Sequence, residues 1–538
     1  MSEHQNETSD FRLSSRPSVD ELLRVVSLQR KTIQTLEARL SQLEAELSAA
    51  KKLKGKPKIK ASRLNDTDKS RSSSKRSGTR KGGKKNRLEI TETQIIELPD
   101  VPSDARFNGY RDYDVQELQI ERRMIRFRLK EYVLADGHIV RAQLPLEYRQ
   151  TGHFGPLLVS HILSEHYHNR VPHRLIAEQL EEWGIDISVG QINAILTQRT
   201  AGFAEEATSV LAVGLAESSY IHTDDTGARH QGRNGYCTVI GNEGFSYFVT
   251  SASKSRQNFL SILQGNRESY VLNDVSQAYL SRYALSKADS VKVVFSQTVL
   301  ATSASEWQDY LASLAIVGKK TIRVLTEAAL LGGAVANGLS PELLLLSDGA
   351  PQFNVLNHGL CWVHAERGLR KLDSDTEQAR ANIQEVQTLL WEFYQALKAY
   401  RAAPCETNKA HLSERFDQLF GRCYLNHELL NDELAKLLSK KEQLLRVLDY
   451  PILPLHNNAA ESDIREYVTR RKISGGTRSE AGRMARDTFI SLKKTCRKLG
   501  ISFWSYLLAR LRGDATVLPL PELLKHTLLD HNLLATPA

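Results

Sequence analysis

A continuous apolar run that ends in an acid restricts the fold of this chain more than any other feature. Four consecutive leucines at 343–346 are followed by SDG, in which the acid is Asp348. A short apolar run bounded by turn residues is typical of a buried strand. A second β-type pattern (SSYIHTDDTGAR, GYCTVIGN, FSYFVTSAS) starts at Ser219, and Asp224 ends its first run. The sequence therefore predicts two strands that each carry an acid at the tip.

A third acid stands at the start of a predicted helix. In HNNAAESDIREYVTRRK, Asn457 or Asn458 is a candidate N-cap and Glu461 lies in or near the first turn. Each acid alone has an ordinary explanation, because aspartate forms turns and glutamate in a first helical turn interacts favourably with the helix dipole. Asp225 is the alternative to Asp224, since successive strand residues face opposite sides of a sheet.

Three carboxylates from separate elements also have a chemical interpretation. Together they can hold two divalent ions, Mg²⁺ or Mn²⁺ in its place, and two such ions are what a protein needs to cut and rejoin a DNA backbone. A basic run follows the third acid, and we expect it to clamp DNA phosphates; the alternative is a solvated helix face. Its members are Arg465, Arg470, Arg471, Lys472, Arg478 and Arg483.

Composition limits the class of protein. The chain has 538 residues, 41% hydrophobic and 25% charged, which is enough for several domains. Its five cysteines include no CxxC pair, which argues against a zinc ribbon or a disulfide framework and favours a cytoplasmic setting. The N-terminus lacks an apolar signal core, and charged residues and a proline interrupt the most apolar stretch, 325–346, so no membrane partner is expected.

Two N-terminal features predict partners. Apolar residues from Val19 to Leu47 follow a heptad that predicts a coiled coil and a homo-oligomer, although an amphipathic helix packed on its own domain has the same pattern. Residues 51–87 carry sixteen Lys and Arg against Asp66 and Asp68, which predicts a disordered basic linker. This linker is either a nonspecific phosphate-binding segment or a solubilising tether.

Two further segments precede the acids. Residues 88–145 alternate short β-type runs with NG and DG turns, which predicts a small antiparallel unit. Residues 173–200 then show two helical patterns around Gly184, with Ser188 as a cap. This spacing is that of a helix-turn-helix, whose second helix can enter the major groove of double-stranded DNA, or of a helical hairpin that only packs.

Several motifs carry a family resemblance. HTDDTG, the SDG motif with CWVH and Arg367 after it, and NNAAES with IR and RRK after it occur in this order. Together they resemble the insertion sequence 66 family of bacterial transposases, of the TnpC-like type, over residues 155–510. The resemblance implies an α/β catalytic core with a ribonuclease H-like mixed sheet, a helical insertion before the glutamate and a leading coiled coil. His364 of CWVH is either a residue that positions a phosphate or an aspartate, or a satisfied core histidine.

The resemblance also implies an activity. Members are DDE enzymes that cleave element ends and transfer them into target DNA, and by position Asp224, Asp348 and Glu461 are the catalytic, metal-binding acids. Two other functions stay open: a DNA-binding regulator or domesticated transposase with an inactive core, and a nuclease of the same fold that does not join strands.

The chain departs from the family pattern in two places. Family members commonly carry paired cysteines before the helix-turn-helix as a zinc module, and this chain has no cysteine between 88 and 200. The separation of Asp224 and Asp348 is also longer than usual, with extra sequence around 270–340. The predicted order is a coiled coil (1–50), basic linker (51–87), β-rich unit (88–150), helix-turn-helix region (151–212), first part of the core (213–370), helical insertion (371–450), last part of the core (451–515) and C-terminal tail (516–538).

Overall fold

The computed structural model describes residues 89–535 apart from 98, 101, 150, 199–200, 266, 284–291 and 374–375. The predicted coiled coil and basic linker lie outside these residues. The chain divides into two compact units, Met1–Glu117 and Leu118–Ala538. In the first unit, the described residues are exposed and form neither a helix nor a strand.

The second unit contains both strands and helices. In chain order, its strands are β1 (Glu131–Val133), β2 (Ile139–Arg141), β3 (Tyr220–His230), β4 (Arg233–Gly241), β5 (Ser246–Ser251), β6 (Tyr270–Val271), β7 (Val299–Ala301), β8 (Leu344–Ser347) and β9 (Asn357–Leu360). Its helices are α1 (Leu146–Arg149), α2 (Pro156–Tyr167), α3 (His173–Glu182), α4 (Val189–Gln198), α5 (Ala201–Glu217), α6 (Arg256–Leu263), α7 (Asp274–Leu280), α8 (Ala304–Ser313), α9 (Lys319–Ala336), α10 (Trp362–Arg370), α11 (Glu377–Ala402), α12 (Glu406–Phe420), α13 (Glu428–Leu438), α14 (Lys441–Leu444), α15 (Arg446–Asp449), α16 (Asn458–Ser474), α17 (Glu480–Lys498), α18 (Phe503–Arg512) and α19 (Leu520–Ala535).

The antiparallel unit expected at 88–145 is reduced to one hairpin. β1 and β2 pair around the DG turn, where the Asp136 carboxylate accepts a hydrogen bond from the backbone N–H of His138 at 3.0 Å. The earlier β-type runs form no strand in the described residues of this segment. Their apolar side chains, such as Ile120 and Met124, are exposed. These runs bury no apolar face that would stabilise pairing, whereas the DG turn closes β1 on β2 locally.

A five-stranded mixed sheet lies at the centre of the second unit, in the order β5-β4-β3-β8-β9. β3, β4 and β5 form an antiparallel meander, whereas β8 runs parallel to both β3 and β9. The expectation of a mixed α/β sheet is thus confirmed. Three of the four leucines, 344–346, form the start of β8 in agreement with the predicted strand, and both faces of this strand are covered. Leu345 joins the main core, while Leu344 and Leu346 pack with Leu453 on the other face.

Helices cover the sheet and form a second core beside it. On one face, α16 packs Ala460 and Tyr467 against Cys237 and Val239 of β4. The helices α11 to α15 pack around their own apolar core, which includes Phe393. Among the described helices, none combines the length and the apolar character that crossing a membrane requires.

The extra sequence around 270–340 is built into the main core. Its longest helix, α9, is almost entirely buried from Val324 to Ala334. A Cβ atom on Gly332 or Gly333 would overlap the carbonyl oxygens of Val271 and Ser269, so this helix packs against the chain at β6 more closely than any other residue type allows. The segment is therefore a structural part of the fold.

Buried charges fix helix α16 in place. The Asp463 carboxylate accepts hydrogen bonds from Ser246 Oγ at 2.6 Å and from Lys498 Nζ at 2.6 Å, and it lies 3.3 Å from Lys494 Nζ and 3.5 Å from His222 Nε2. Burial alone would raise the pKa of Asp463, but the contacts with His222 and Lys498 outweigh it and hold this pKa well below its usual range. The cluster joins α16 to β3, β5 and α17.

Removing this carboxylate should destabilise the fold. In an Asp463→Ala variant, Lys494 and Lys498 lose their buried counter-ion, and we expect the free energy of unfolding to fall by about 3 to 5 kcal/mol. Urea unfolding followed by tryptophan fluorescence measures this change. The control is Ser462→Ala, an exposed neighbour on the same helix, for which we expect a change below about 0.5 kcal/mol. An unfolding midpoint equal to that of the wild type would contradict the anchoring role of Asp463.

Candidate active site

The pairing of β3 and β8 brings the two predicted aspartates together. In this parallel pair His222 is opposite Leu346, and Asp224 and Asp348 each follow two residues later. Neighbouring strands lie about 4.8 Å apart, so the two acids occupy equivalent positions just beyond the β3–β8 pairing. Only Asp348 follows the end of its strand; β3 continues to His230, which corrects the prediction that Asp224 lies at a strand tip. The loop after Asp348 turns at once, because Gly349 has a φ of 92°.

Strand alternation separates Asp224 from Asp225. Asp224 has the same facing as His222, whose side chain reaches Asp463 on α16, so Asp224 faces the helix that carries Glu461. Asp225 faces the other side and accepts a hydrogen bond from Gln352 Nε2 at 2.5 Å. The two residues are therefore in different environments, and only Asp224 faces α16.

The start of α16 is held against β3. The helix begins at Asn458, and the Asn457 side chain at the N-cap position does not cap it. Instead, Asn457 Nδ2 donates to the carbonyl of Thr223 at 2.9 Å, and its backbone N–H donates to Cys361 Sγ at 3.2 Å. This contact ties the first turn of α16, and Glu461 with it, to the strand residue before Asp224.

Glu461 contacts two residues of α10. Arg367 Nη2 donates to its Oε1 at 3.0 Å, and His364 Nε2 lies 3.5 Å from the same oxygen. His364 also contacts Arg367 Nη1 at 2.7 Å. Burial, followed by the nearby Arg367, lowers the pKa of His364. Trp362 fixes this helix, since its buried ring donates from Nε1 to the carbonyl of Leu444 at 3.0 Å. His364 therefore lies at the predicted acids and is not simply a core histidine.

The electrostatics of Asp224 reflect its neighbours. Burial raises the pKa of Asp224 to about 7, and the carboxylates of Asp348, Asp225 and Glu461 contribute to this rise. Burial also raises the pKa of Asp225, but the Lys254 cation and the Gln352 hydrogen bond oppose it. The carboxylate of Asp224 thus interacts with both Asp348 and Glu461 as like charges.

The basic residues after Glu461 separate into exposed and engaged groups. Arg465, Lys472 and Arg478 are exposed. Arg471 donates to the carbonyl of Gly227 in β3. Arg483 pairs with Glu480 and Asp487 and donates to the carbonyl of Thr250.

Arg470 is placed in the interior, which corrects the prediction that it contacts DNA. It is 1% exposed, its guanidinium lies 5.3 Å from the ring centroid of Tyr167, and it donates to the carbonyl of His166 at 2.5 Å. A guanidinium enclosed in this way does not reach a phosphate on the surface.

The two helices expected at 173–200 are present as α3 and α4, joined by a turn in which Gly184 has a φ of 70°. Ser188 and Gln191 form reciprocal hydrogen bonds at the start of α4, at 2.8 and 3.2 Å. Ile192 and Leu196 are buried, and the polar Asn193 and Gln198 are exposed. The exposed side of α4 is thus polar and uncharged.

The three acids have the donor chemistry of a magnesium site. Within the described part of the chain, no three His, Cys, Asp or Glu side chains form a group that could hold a metal ion. Mg²⁺ in phosphoryl-transfer enzymes commonly takes one or two protein carboxylates, with substrate phosphates and water completing the shell. The mutual repulsion that contributes to the raised pKa of Asp224 is the kind that a cation relieves. The carboxylates of Asp224 and Asp348, on adjacent strands, would meet that requirement of one or two, and Glu461 is held by Arg367.

Comparison with known proteins places the chain in a family. The model of the Transposase IS66 family matches residues 151–294 and 345–485, which together are more than half of the chain. The chain belongs to the IS66 family of transposases. The uncharacterized protein y4jO of Sinorhizobium fredii is 43% identical over 317 residues, which cover 58% of this chain and 98% of that relative.

The IS66 match limits the extra sequence expected around 270–340, because residues up to 294 are matched. The match leaves out residues 295–344, within which lies the buried helix α9. Both aspartates and Glu461 fall within the matched stretches.

Sequence reasoning missed several residues around the acids. The Gln352 contact with Asp225 and the Asp463 cluster join elements that are distant in the chain, so no local sequence pattern predicts them. One signal was available for the cluster. Asp463, Lys494 and Lys498 are charges in helices, and the spacing of the two lysines by four residues places both on one helix face.

The raised pKa of Asp224 predicts a cost in stability. Below the ordinary pKa of 3.8, Asp224 is protonated in both the folded and the unfolded chain and does not lower the free energy of unfolding. That free energy falls as the pH rises from 3.8 through about 7, because the folded protein then holds an unfavourable charge. An Asp224→Asn variant removes that charge. We expect it to melt above the wild type at pH 8 in the absence of divalent ions, by on the order of 2 °C, and the difference to shrink toward pH 5.

Thermal melts across this pH range measure the effect. The control is Asp432→Asn, an exposed aspartate in α13, for which we expect no such pH-dependent difference. If Asp224→Asn melts below the wild type at pH 8, the cost attributed to this carboxylate is wrong.

Proposed function

We propose that this chain is the transposase of an insertion sequence and that it cleaves DNA strands at the element ends and joins them to target DNA. The observation that supports the proposal is that Asp224 and Asp348 take equivalent positions beyond the parallel pairing of β3 with β8, and that Asp224 faces the helix that bears Glu461, in a chain of a transposase family. The sheet order, three antiparallel strands followed by two parallel ones, supports a ribonuclease H-like core.

The proposed reaction has two steps, cleavage and joining, and each needs groups that bind the DNA and activate the attacking oxygen. In cleavage, the oxygen of water loses a proton and bonds to phosphorus, while the 3′ oxygen leaves with the electron pair of the broken bond and takes up a proton. In joining, the freed 3′ hydroxyl loses its proton and its oxygen bonds to a target phosphorus, while the 3′ oxygen of the cut target strand leaves with the electron pair of the broken bond. Mg²⁺ or Mn²⁺, held by Asp224, Asp348 and Glu461, would activate the attacking oxygen and stabilise the leaving one. Arg367 and His364 hold the Glu461 carboxylate in place. No covalent intermediate with the protein is needed.

The exposed face of α16 supports DNA binding next to the acids. Glu461, Arg465 and Lys472 lie within about 40° of one another around the helix, and the two cations stand about 6 and 16 Å farther along its axis. Both cations are exposed. A strand laid along this face would have its phosphates paired with cations and one phosphate beside the acids. Arg478 extends this proposed contact. Arg471 and Arg483 take part only if DNA displaces their present partners.

The helices α3 and α4 supply a proposed site for duplex DNA. Asn193 and Gln198 expose amides on the second helix, and amide side chains can pair with adenine edges in a major groove. The coiled coil predicted at 19–47 would bring two or more copies together, one for each element end.

Replacing the acids tests the proposed chemistry. We expect Asp224→Ala, Asp348→Ala and Glu461→Ala each to abolish Mg²⁺- or Mn²⁺-dependent strand cleavage, because each removes an oxygen donor, while binding of an element-end duplex survives. Nicking of a supercoiled plasmid that carries the ends, together with a gel-shift titration, measures both properties. The matched comparison is Asp225→Asn, which faces away from α16, keeps an oxygen acceptor for Gln352 and should therefore retain cleavage.

The outcomes of this experiment separate the functions. A wild type that is inactive with both ions would indicate a DNA-binding regulator, and cleavage without joined product would indicate a nuclease. Near-normal cleavage by any one of the three alanine variants would remove that acid from the site.

The cations of α16 give a prediction for DNA affinity. We expect an Arg465→Ala/Lys472→Ala variant to bind all DNA sequences more weakly and to reduce the slope of log affinity against log salt by about 0.9 for each phosphate that is no longer neutralised. Fluorescence anisotropy at several salt concentrations measures this slope. The control is Arg422→Ala/Lys436→Ala, an exposed pair in the separate helical core, for which the slope should not change. An unchanged slope in the α16 variant would place the DNA elsewhere.

A further inference from the structure

A buried charged cluster connects the extra segment to the proposed active site. Glu327 in α9 is 3% exposed, and its Oε2 accepts hydrogen bonds from Tyr279 Oη at 2.7 Å and from Arg256 Nη1 at 3.3 Å. The same Arg256 nitrogen donates to Tyr283 Oη at 2.9 Å. A glutamate is almost never fully buried unless it is paired, so the position of this carboxylate depends on Arg256 and the tyrosine hydroxyl.

The second terminal nitrogen of the Arg256 guanidinium reaches the loop that follows Asp348. Arg256 Nη2 donates to the carbonyl of Pro351 at 2.5 Å. The planar guanidinium presents its donors in a fixed fork, so holding Nη1 on Glu327 also fixes the direction of Nη2. A lysine in its place would offer a single charged nitrogen and could not span both partners in this geometry.

The loop is fixed on its remaining sides as well. Pro351 opens a short 3₁₀ helix, Pro351–Phe353. Gln352 donates to Asp225, and the Phe353 ring packs edge-on against Phe259 of α6 with 5.0 Å between ring centroids. The carbonyl of Pro351 is thus one of three attachment points that hold the segment immediately after Asp348.

The residues of the Glu327–Arg256–Pro351 contact lie partly inside and partly outside the IS66 match. Arg256 and Pro351 lie in the stretches that the IS66 model matches, whereas Glu327 lies in the unmatched segment 295–344. This segment packs directly on the core through the glycines of α9. The extra sequence therefore supplies the buried carboxylate to a guanidinium that belongs to the family core.

We propose that Glu327 is a positioning residue for the strand-cleavage reaction: it holds Arg256, and Arg256 fixes the Pro351 carbonyl and hence the loop that places Asp348. This role rests on the proposed function. Loss of the carboxylate leaves the guanidinium without its counter-ion and weakens one of the three attachments of the loop, while the proposed DNA-binding face of α16 is unaffected. A displacement of about 1 Å at a reacting group is enough to reduce a rate by up to roughly 100-fold.

Glu327→Gln tests the proposal, because glutamine keeps an acceptor for Tyr279 but removes the charge. We expect the maximal cleavage rate to fall about tenfold or more, with the DNA concentration for half-maximal rate within about twofold of wild type. Arg256→Lys should show the same loss, and the double variant should be no worse than either single one, since both act through one contact.

The matched control is Glu206→Gln. Glu206 accepts hydrogen bonds from Tyr506 and Arg510 at 2.8 Å each, so it has the same partner chemistry in a different part of the fold. This variant should lose stability without losing maximal rate per folded molecule. A rate loss equal to that of Glu327→Gln would overturn the positioning role and indicate general destabilisation.

Amide hydrogen exchange of residues 347–355 provides a second readout that does not depend on activity. We expect faster exchange in this segment in Glu327→Gln and no change there in Glu206→Gln. Unchanged exchange in Glu327→Gln would overturn the proposal whether or not the protein cleaves DNA. Altered exchange in a protein whose wild type never cleaves DNA would instead overturn the proposed function.

Discussion

The buried carboxylate of Asp463 determines where helix α16 can lie. It receives hydrogen bonds or charge contacts from β3, β5 and α17, and a buried carboxylate without such partners would be too costly to keep. Because Glu461 is two residues earlier on the same helix, its position follows from this interior cluster. Asn457 adds a second attachment on Thr223. The position of Glu461, the proposed third acid, is therefore set by the contacts of Asp463 and Asn457 as well as by its own.

The strands and the acids could be predicted because their signals are local. Four leucines before SDG indicate a buried strand wherever they occur, and β8 forms there, with the acid at its tip. The start of α16 could also be predicted from the sequence, but the hydrogen-bond partner of the Asn457 side chain could not. A local interpretation treats this amide as a helix cap, whereas in the fold it binds a strand distant in the chain.

The basic run shows why side-chain roles were harder to predict than elements. Asp463, Glu466, Tyr467 and Arg470 have the spacing of one helix face, and all four are buried. A search for apolar periodicity does not detect this face, because most of its residues are charged and have polar or aromatic partners in the interior. Arg465 and Lys472 belong to the opposite, exposed face. The composition of the run therefore overstated the number of cations available to DNA.

The pairing of β3 with β8 has a consequence for the order in which the protein is made. These strands are neighbours in the sheet, yet the buried helix α9 and its surroundings lie between them in the chain, and α16 comes later still. Pairing of such distant segments is slow and has to wait until the later one has been synthesised. During translation the helices α3 and α4 emerge well before the edge of the sheet is complete. A chain cut short ahead of α16 would contain α3 and α4 but neither Glu461 nor α17, whose Phe489 shares a buried core with Ile192 and Leu196, so it would lack part of the packing around those two helices.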